Sequence, residues 1–251
     1  MSNGSLYTHI QNNIATIEFG HPASNSFPSE LLSRLTSALN ELNNNKDVHV
    51  IVLKSEQEKA FCAGASFNEL VAVSTFEEGK QFFLGFANVI NAMRTCSKII
   101  IGRVQGKAVG GGVGLAAACD YCLATEHASI KLSEFTIGIG PFVIEPAVRR
   151  KIGLAALSEL TINATNWQSA YWAKEKGLYS KVFDTIKEMD SEVENLANNL
   201  SKYNIEALKE MKKAFWEGTD DWTNLLEEKA EISGRLVLSD FTKNALQKFK
   251  K

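Results

Sequence analysis

The stretch from Gly102 to Asp120, GRVQGKAVGGGVGLAAACD, is the sequence feature that most restricts the fold. It places six glycines in the thirteen residues from Gly102 to Gly114, after the apolar run KIIIGRV and before a run of small residues typical of a buried helix. Glycine lets a backbone turn tightly and approach a neighbour or a ligand closely. The stretch therefore predicts a strand, a glycine turn and a helix, which is the repeating unit of α/β folds.

The glycine spacing excludes two familiar phosphate-binding motifs. In a P-loop, G-x-x-x-x-G-K-[ST], the pair Gly106–Lys107 would need a glycine at Ile101 and a Ser or Thr at Ala108. In a dinucleotide fingerprint, G-x-G-x-x-G, the third glycine after Gly110–Gly112 would fall at Leu115. Two interpretations remain, a closely packed turn or an anion hole formed by backbone amides at a helix N-terminus.

The flanking segments predict the same alternation of strands and helices. Apolar runs on either side of Asn12–Asn13 predict a hairpin, and the apolar run VHVIVLKSE predicts a buried parallel strand. Leucines at helical spacing predict a helix from Pro28 to about Leu42, and a second helix spans roughly Thr75 to Met93. From Val143 onward the pattern is almost entirely helical.

This order predicts one α/β core with an appended helical region. The first two thirds of the chain alternates strands and helices, as in right-handed β-α-β units on a parallel sheet. We place the core at residues 1–190 and the C-terminal helical region at residues 191–251. A chain of 251 residues is long enough for this arrangement.

Charge and composition restrict the partners and the compartment. The formal net charge is −2 and the isoelectric point about 6.1, so no basic field indicates nucleic acid as a partner. The sequence contains no run of 18 apolar residues, so it predicts no membrane span. The N-terminus MSNGSLYTHIQNN has neither a basic nor an apolar signal region, so we expect a cytoplasmic protein.

The four cysteines indicate buried thiols rather than a metal or redox site. Three of Cys62, Cys96, Cys119 and Cys122 lie among apolar or small residues, which suits a reducing compartment. Cys119 and Cys122 form a C-x-x-C with His127 nearby, but a structural zinc site needs four ligands and the chain has no second pair. We interpret CDYCLAT as a strand whose two cysteines face opposite sides, and we expect no bound metal.

Two strand-to-helix turns stand out as a candidate site. The segment Phe61–Ser66 follows the strand VIVLKS, and Gly110–Gly112 follows the strand KIIIGRV. Ligand sites in parallel sheets lie outside the carboxyl ends of the strands, where both turns are expected. Two converging amides at such turns make an oxyanion hole, which stabilises negative charge that develops on a substrate.

The motifs AFCAGASFNEL and GKAVGGGVGLAAACDYCLATEHASIKLSEFTIGIGP resemble the crotonase superfamily, which contains enoyl-CoA hydratases and isomerases. The likeness also covers GHPASNSFPSELLSRL near the start and SDFTKNALQKFKK at the end. The resemblance implies a β-β-α spiral core with a C-terminal helical region that trimerises. It also implies acyl-CoA thioester substrates and no cofactor, since coenzyme A belongs to the substrate.

The resemblance also implies roles for five residues. The amides of Ala65 and Gly111 match the oxyanion pair that binds the thioester oxygen, and Gly110 adjoins them in the substrate site. Ala63 matches a position whose backbone contacts the adenine of coenzyme A, and Glu134 matches the usual acid–base glutamate. Burial beside an acyl chain should raise the pKa of Glu134 toward neutrality.

One departure from the family pattern bears on the reaction. Straight-chain hydratases carry a second glutamate three residues after the oxyanion glycine, where this chain has Gly114. The pattern GGGVGL…SE…GIGPFVIEP is similar to bacterial methylglutaconyl-CoA hydratase-like proteins, whose substrate carries a free carboxylate. Arg149 or Arg150 would be the cation for that carboxylate, unless both are surface charges, and Glu145 is a spare carboxylate.

The sequence thus favours hydration of an α,β-unsaturated acyl-CoA, branched or of methylglutaconyl type, with Glu134 as acid and base. The alternatives are a Δ3-Δ2 enoyl-CoA isomerase and a non-catalytic relative that binds acyl-CoA or RNA. The helical last third has apolar residues that suit self-association as a trimer or hexamer: Leu225, Leu226, Ile232 and Leu236.

Overall fold

A computed structural model describes residues 3–248 of the chain. Its strands are β1 (Ser5–Gln11), β2 (Ile14–Gly20), β3 (Val50–Ser55), β4 (Ala60–Cys62), β5 (Ile99–Val104), β6 (Lys107–Val109), β7 (Tyr121–Thr125), β8 (Ile130–Lys131) and β9 (Lys181–Phe183). Its α-helices are α1 (Ser29–Asn44), α2 (Phe67–Ala72), α3 (Phe76–Thr95), α4 (Gly111–Ala118), α5 (Glu145–Ile162), α6 (Ala170–Glu175), α7 (Ile186–Leu200), α8 (Ile205–Phe215), α9 (Trp222–Leu236) and α10 (Asp240–Gln247). A short 3-10 helix, Glu134–Ile137, is called the Glu134 turn below.

The main sheet has six strands in the order β1-β2-β3-β5-β7-β9. β1 pairs antiparallel with β2, and every later neighbour is parallel. The predicted hairpin is confirmed, with Asn12 and Asn13 both at positive φ (51° and 64°), the conformation of a two-residue turn. The predicted apolar strand is β3, which lies between two parallel neighbours and is buried along almost its whole length.

A second, smaller parallel sheet, β4-β6-β8, carries the two candidate turns. The turns follow the strands that became β3 and β5, as predicted, but a short strand that the sequence pattern did not reveal stands before each turn. After each of those strands the chain bends into the small sheet before it turns. The two turns consequently follow β4 and β6, which pair with each other.

Side-chain and glycine contacts explain why the chain leaves the main sheet at this point. The buried amide of Gln105 donates to the Ser55 hydroxyl at 2.9 Å and to the Ala60 carbonyl at 3.0 Å, and so joins the ends of β3 and β5 to β4. At Gly106 an added Cβ would lie 2.6 Å from the Lys59 carbonyl oxygen. Only glycine permits the backbone to cross there.

The two long predicted helices are confirmed in α1 and α3. α1 begins after Pro28, and its leucines at helical spacing are buried against the sheet. α3 begins with a capping box, in which the Thr75 side chain accepts from the Glu78 amide and the Glu78 carboxylate accepts from the Thr75 amide. The mixed α/β class with a parallel sheet is likewise confirmed.

The C-terminal third is helical, as predicted, except for β9. This strand has three residues and pairs with β7 at the sheet edge, too short for periodicity to reveal. The division proposed after residue 190 falls inside α7, which packs on the main sheet. The outer ends of both proposed regions, residues 1–2 and 249–251, lie outside the described residues.

Burial of the cysteines is confirmed, but the geometry expected for the C-x-x-C pair is wrong. All four thiols are buried and free. Cys119 caps the end of α4 rather than belonging to the strand, which begins at Tyr121. Its side chain therefore turns toward Cys122, the two thiols hydrogen-bond, and both lie against Gly102.

A buried ion pair fastens α8 to the core. Asp120 and Lys212 have side chains only 2% exposed, with 2.6 Å between Lys212 Nζ and Asp120 Oδ2. Asp120 also accepts from the Ile100 amide and from the Trp216 indole. Such full satisfaction is what a buried charge requires. Within residues 3–248 no helix is both long and apolar enough to cross a membrane.

Candidate active site

The two turns, the Glu134 turn and helices α2, α3 and α9 line a cavity of about 200 Å³. All five residues singled out from the sequence line it, namely Ala63, Ala65, Gly110, Gly111 and Glu134. They come from three segments that the small sheet brings together. Ala63 is exposed, which places it at the cavity mouth.

The first turn offers one free backbone amide among several that are engaged. The Ala63 amide donates to the Ser24 carbonyl at 3.1 Å, and the Ser66 amide donates to the Phe27 carbonyl at 2.9 Å. The Gly64 amide donates to the Cys62 thiol. The amide of Ala65 donates to no described residue, so it is available to a ligand in the cavity.

The second turn offers a matching amide at the start of α4. Gly110 has φ 53° and ψ −118°, a conformation that glycine adopts without strain, and its own amide donates to the Lys131 carbonyl at 3.0 Å. Gly111 is the first residue of α4, and its amide has no partner among the described residues. An amide at this position combines a free donor with the positive end of the helix dipole.

The two turns lie against each other. A Cβ built on Gly64 would come within 3.1 Å of the Val109 carbonyl oxygen and 3.5 Å of the Gly111 nitrogen. The free amides of Ala65 and Gly111 therefore belong to adjoining backbone segments that line one cavity. This is the arrangement that an oxyanion hole needs.

Glu134 places its carboxyl group beside the second turn. A Cβ on Gly110 would lie 2.8 Å from Glu134 Oε1. The residue as a whole is partly exposed, but its Oε2 is fully buried and has no hydrogen-bond partner among the described residues. Desolvation raises the pKa of this carboxyl from 4.5 to about 7, against a smaller lowering by the residue's own amide.

Helix α10 supports the Glu134 turn from outside. The turn ends at Gly138, which has φ 81°, and a Cβ there would lie 2.4 Å from the Phe241 ring and 2.7 Å from the Thr242 hydroxyl. The last helix of the described chain therefore rests directly on the segment that carries the carboxyl group.

The remaining walls of the cavity are mainly apolar and aromatic. They include Leu70, Phe82, Phe86, Phe142 and Ile144. Apart from Glu134, the polar side chains among the described lining residues are two serines, Ser133 and Ser233. Such mainly apolar walls strengthen any electrostatic interaction inside the cavity.

Gly114 does not open onto this cavity. It is buried in α4, where a Cβ would lie 2.4 Å from the Cγ2 atom of Ile144. The side chain of Ile144 thus occupies the space next to position 114 and forms part of the cavity wall. A second carboxylate at this position would need a different residue at 144.

The arginines considered as a carboxylate site lie elsewhere. Arg150 stacks on the Trp216 ring at 4.0 Å and donates to the Phe215 carbonyl, and Arg149 pairs with Glu145 at 3.8 Å. Neither arginine lines the cavity, because this part of α5 faces the C-terminal helices. The hypothesis that either one binds a substrate carboxylate in this cavity is therefore wrong.

Glu145 is also outside the cavity, where it approaches Lys229 at 3.3 Å. Sequence reasoning missed the apolar wall and Ser233, because these come from helices that meet only in the folded chain. Residues 3–248 contain no group of three or more His, Cys, Asp or Glu side chains that could hold a metal ion.

Comparison with known proteins gives a consistent assignment. The family model described as enoyl-CoA hydratase/isomerase matches residues 9–250. A short-chain-enoyl-CoA hydratase from Clostridium acetobutylicum is 28% identical over 94% of this chain and 90% of its own length. A mitochondrial methylglutaconyl-CoA hydratase from Rattus norvegicus is 33% identical over 66% of this chain and 53% of its own length.

Among solved structures, an enoyl-CoA hydratase from Bacillus halodurans superimposes with a TM-score of 0.90 at 22% identity, over 97% of this chain and 99% of that one. This likeness supports the fold. The region that the family model matches includes both turns and the Glu134 turn. The chain belongs to the enoyl-CoA hydratase/isomerase family of the crotonase superfamily.

Proposed function

We propose that this protein adds water to the double bond of an α,β-unsaturated acyl-CoA, with Glu134 as its acid and base. The observation that carries the proposal is the Glu134 carboxyl group, whose Oε2 is buried without a partner in the cavity that two free backbone amides also line. The amides of Ala65 and Gly111 would bind the thioester oxygen. Ala63 and Gly110 would line the path of the thioester and its coenzyme A portion.

The amides lower the barrier by stabilising charge on the thioester oxygen. When a water oxygen bonds to the β-carbon, the double-bond electrons move toward the thioester and form an enolate. Fixed donors in a dry site stabilise that charge without reorganisation, and one such donor commonly contributes about 10²–10³ in rate.

A single carboxylate is sufficient for the proton balance of hydration. Ionised Glu134 accepts one proton from the attacking water, and the hydroxyl oxygen bonds to the β-carbon. Protonated Glu134 then gives a proton to the α-carbon, which collapses the enolate and restores the carboxylate. A pKa of about 7 suits both halves of this relay, because neither protonation state is strongly disfavoured near neutral pH.

The cavity suits a short, uncharged acyl group, straight or branched. Its aromatic and aliphatic walls offer burial to hydrocarbon, and the described lining residues include no lysine, arginine or histidine. A methylglutaconyl substrate is supported by the similarity to methylglutaconyl-CoA hydratases. The free carboxylate of a methylglutaconyl group would need a cation from a residue that is not among the described lining residues of the cavity.

Isomerisation of a 3-enoyl-CoA is the second candidate. It is favoured by the glycine at position 114 and by Ile144, which fills the space beside it. Moving a proton between two carbons requires one carboxylate and the amide pair, and no water.

One assay separates these reactions. Straight, branched and carboxylated 2-enoyl-CoAs are tested for loss of enoyl absorbance, and 3-enoyl-CoAs for its appearance. Hydration predicts loss of absorbance and a 3-hydroxyacyl product. Appearance of absorbance from 3-enoyl-CoAs alone would favour the isomerase, and no turnover of any thioester would favour a binding role.

The raised pKa of Glu134 predicts the acid limb of the pH profile. Since the ionised form accepts the proton from water, kcat/KM for hydration should fall below about pH 7, by roughly tenfold per pH unit. A glutamate with an ordinary pKa would hold its activity to about pH 4.5. A profile that is flat between pH 5 and pH 8 contradicts Glu134 as the base.

The same pKa shift predicts a stability difference with a definite sign. Folding raises the pKa of Glu134, so its contribution to stability is complete below pH 4.5 and is lost as the pH rises through 7. Glu134→Gln does not ionise. It should match the wild type in acid and exceed it above pH 7, by about 3 kcal/mol. Denaturant unfolding at several pH values measures this difference.

Self-association as a trimer or hexamer remains part of the proposal. Leu226 is fully buried within the chain, but the C-terminal helical region leaves other large apolar side chains exposed, including Tyr203, Met211 and Phe215. These residues line a broad groove beside Trp222 and Leu225. Light scattering at micromolar concentration should report a multiple of 27.6 kDa, and a monomer would contradict the proposal.

A further inference from the structure

In hydration by a single carboxylate, the second hydrogen of the attacking water has no assigned acceptor. The attacking water must direct a lone pair at the β-carbon while it gives one hydrogen to Glu134. Its second hydrogen then needs an acceptor, because an unpaired polar group in an apolar cavity is costly. Position 114 is a glycine with Ile144 packed beside it, and the described lining residues include no carboxylate besides Glu134 to supply this acceptor.

Ser233 is a suitable acceptor on a different segment. It lies on α9, is only 1% exposed and lines the cavity. Its hydroxyl donates to the Lys229 carbonyl at 3.2 Å, one turn earlier in the helix. A serine hydroxyl has one donor and two acceptor lone pairs, so the oxygen keeps its capacity to accept.

The packing of α9 holds Ser233 against the cavity. The next residue, Gly234, is in backbone contact with α3, since a Cβ there would lie 2.7 Å from the Lys80 nitrogen. A Cβ on Gly79 would lie 2.9 Å from the Gly234 carbonyl oxygen. Lys80 also pairs with Glu227 and Glu231 of α9, at 2.7 and 2.8 Å.

The other lining serine is less suited to this role. Ser133 directly precedes Glu134 on the same segment and is only partly buried. Ser233 approaches from a separate helix and is almost completely buried. Two acceptors on separate segments can hold both hydrogens of one water molecule, which fixes its orientation.

We propose that Ser233 Oγ accepts a hydrogen bond from the water that adds to the β-carbon, and so positions that water for proton transfer to Glu134. This inference rests on the hydration proposed above. Ser233 neither gains nor loses a proton in the step. The hydroxyl group of water bonds to the β-carbon, and its proton passes through Glu134 to the α-carbon. Ser233 is thus a positioning residue contributed by the C-terminal helical region.

The test compares two reactions of the same site. Hydration of a 2-enoyl-CoA needs the positioned water, whereas exchange of an α-hydrogen of butyryl-CoA in D2O needs only Glu134 and the amides. Ser233→Ala should lower kcat for hydration about tenfold, the effect of losing one ordinary hydrogen bond. It should leave α-exchange within about twofold of the wild type, and Ser233→Thr, which keeps the hydroxyl, should restore hydration.

The matched control is Ser191→Ala. Ser191 makes the same kind of bond, to the Lys187 carbonyl at 2.9 Å, but is exposed on α7. Ser191→Ala should change neither the hydration rate nor the rate of α-hydrogen exchange. Ser233→Cys, with a poor acceptor of similar size, provides a second replacement should the alanine variant fail to fold.

Two outcomes overturn the inference. Unchanged hydration in a folded Ser233 variant removes the positioning role, and an equal fall in hydration and α-exchange indicates a purely structural role. Failure of the proposed function is a separate result. In that case Glu134→Gln leaves turnover intact, or the wild type hydrates no enoyl-CoA.

Discussion

Glu134→Gln should lower turnover of the preferred enoyl-CoA by about 10²–10⁴-fold, the usual contribution of a positioned acid–base group. The amide keeps the size of the carboxylate and some of its hydrogen bonding, but it cannot accept a proton at neutral pH. Acyl-CoA affinity should change little, because the proposed contacts to the thioester oxygen come from the backbone amides and not from the carboxylate. Steady-state kinetics and a direct binding measurement together test both statements.

Glu145→Gln is the matched control for this substitution. Glu145 lies in the same region of the sequence, but its carboxylate pairs with Lys229 and Arg149 outside the cavity. We expect nearly wild-type turnover from it. If Glu145→Gln abolished turnover while Glu134→Gln retained it, the assignment of the acid–base group would be wrong.

Gly111→Val should lower turnover by 10²-fold or more. A Cβ at this position would lie 2.3 Å from the Phe86 ring, so the turn or the ring must move. Movement of the turn would displace the Gly111 amide from the position proposed for the thioester oxygen, and loss of one such donor costs about 10²–10³ in rate. Crowding of a packed interior also costs about 1–3 kcal/mol of stability.

Kinetics and stability must be separated for this variant. Gly111→Ala introduces the same Cβ with less added volume, and thermal unfolding reports whether each variant remains folded. A folded Gly111→Val protein with normal turnover would contradict the oxyanion hole. The second turn would then be a packing feature only.

The two turns could be predicted from local sequence, whereas the individual candidate residues on them, and Glu134, were implied by the resemblance to the crotonase superfamily. Gly110 and Gly111 stand at one strand-to-helix turn, and Ala63 and Ala65 stand at another, so short motifs fix where their backbones point. Glu134 lies on a short turn just after β8, which pairs with the strand that leads to Gly110. The motifs thus indicate a common site before any long-range packing is known.

The features that the sequence did not reveal depend on how distant segments pack. The bend into the second sheet relies on Gln105 and Gly106, whose contacts lie in another part of the chain. Arg150 faces the C-terminal helices because Trp216 packs over it. The sequence around Arg150 does not reveal the direction of its side chain, because Trp216 is distant in the chain. Ser233 lies at the cavity because α9 packs on α3 through Gly234 and the ion pairs of Lys80.

The central claim is that Glu134 and the two amides move a proton at the α-carbon of an acyl-CoA. Deuterium incorporation into butyryl-CoA in D2O measures this step without any addition of water. The wild type should exchange one of the two α-hydrogens selectively, because Glu134 lies on one side of the bound thioester. Glu134→Gln should leave both hydrogens in place when its site is saturated with butyryl-CoA. Exchange by Glu134→Gln at the wild-type rate would contradict the account.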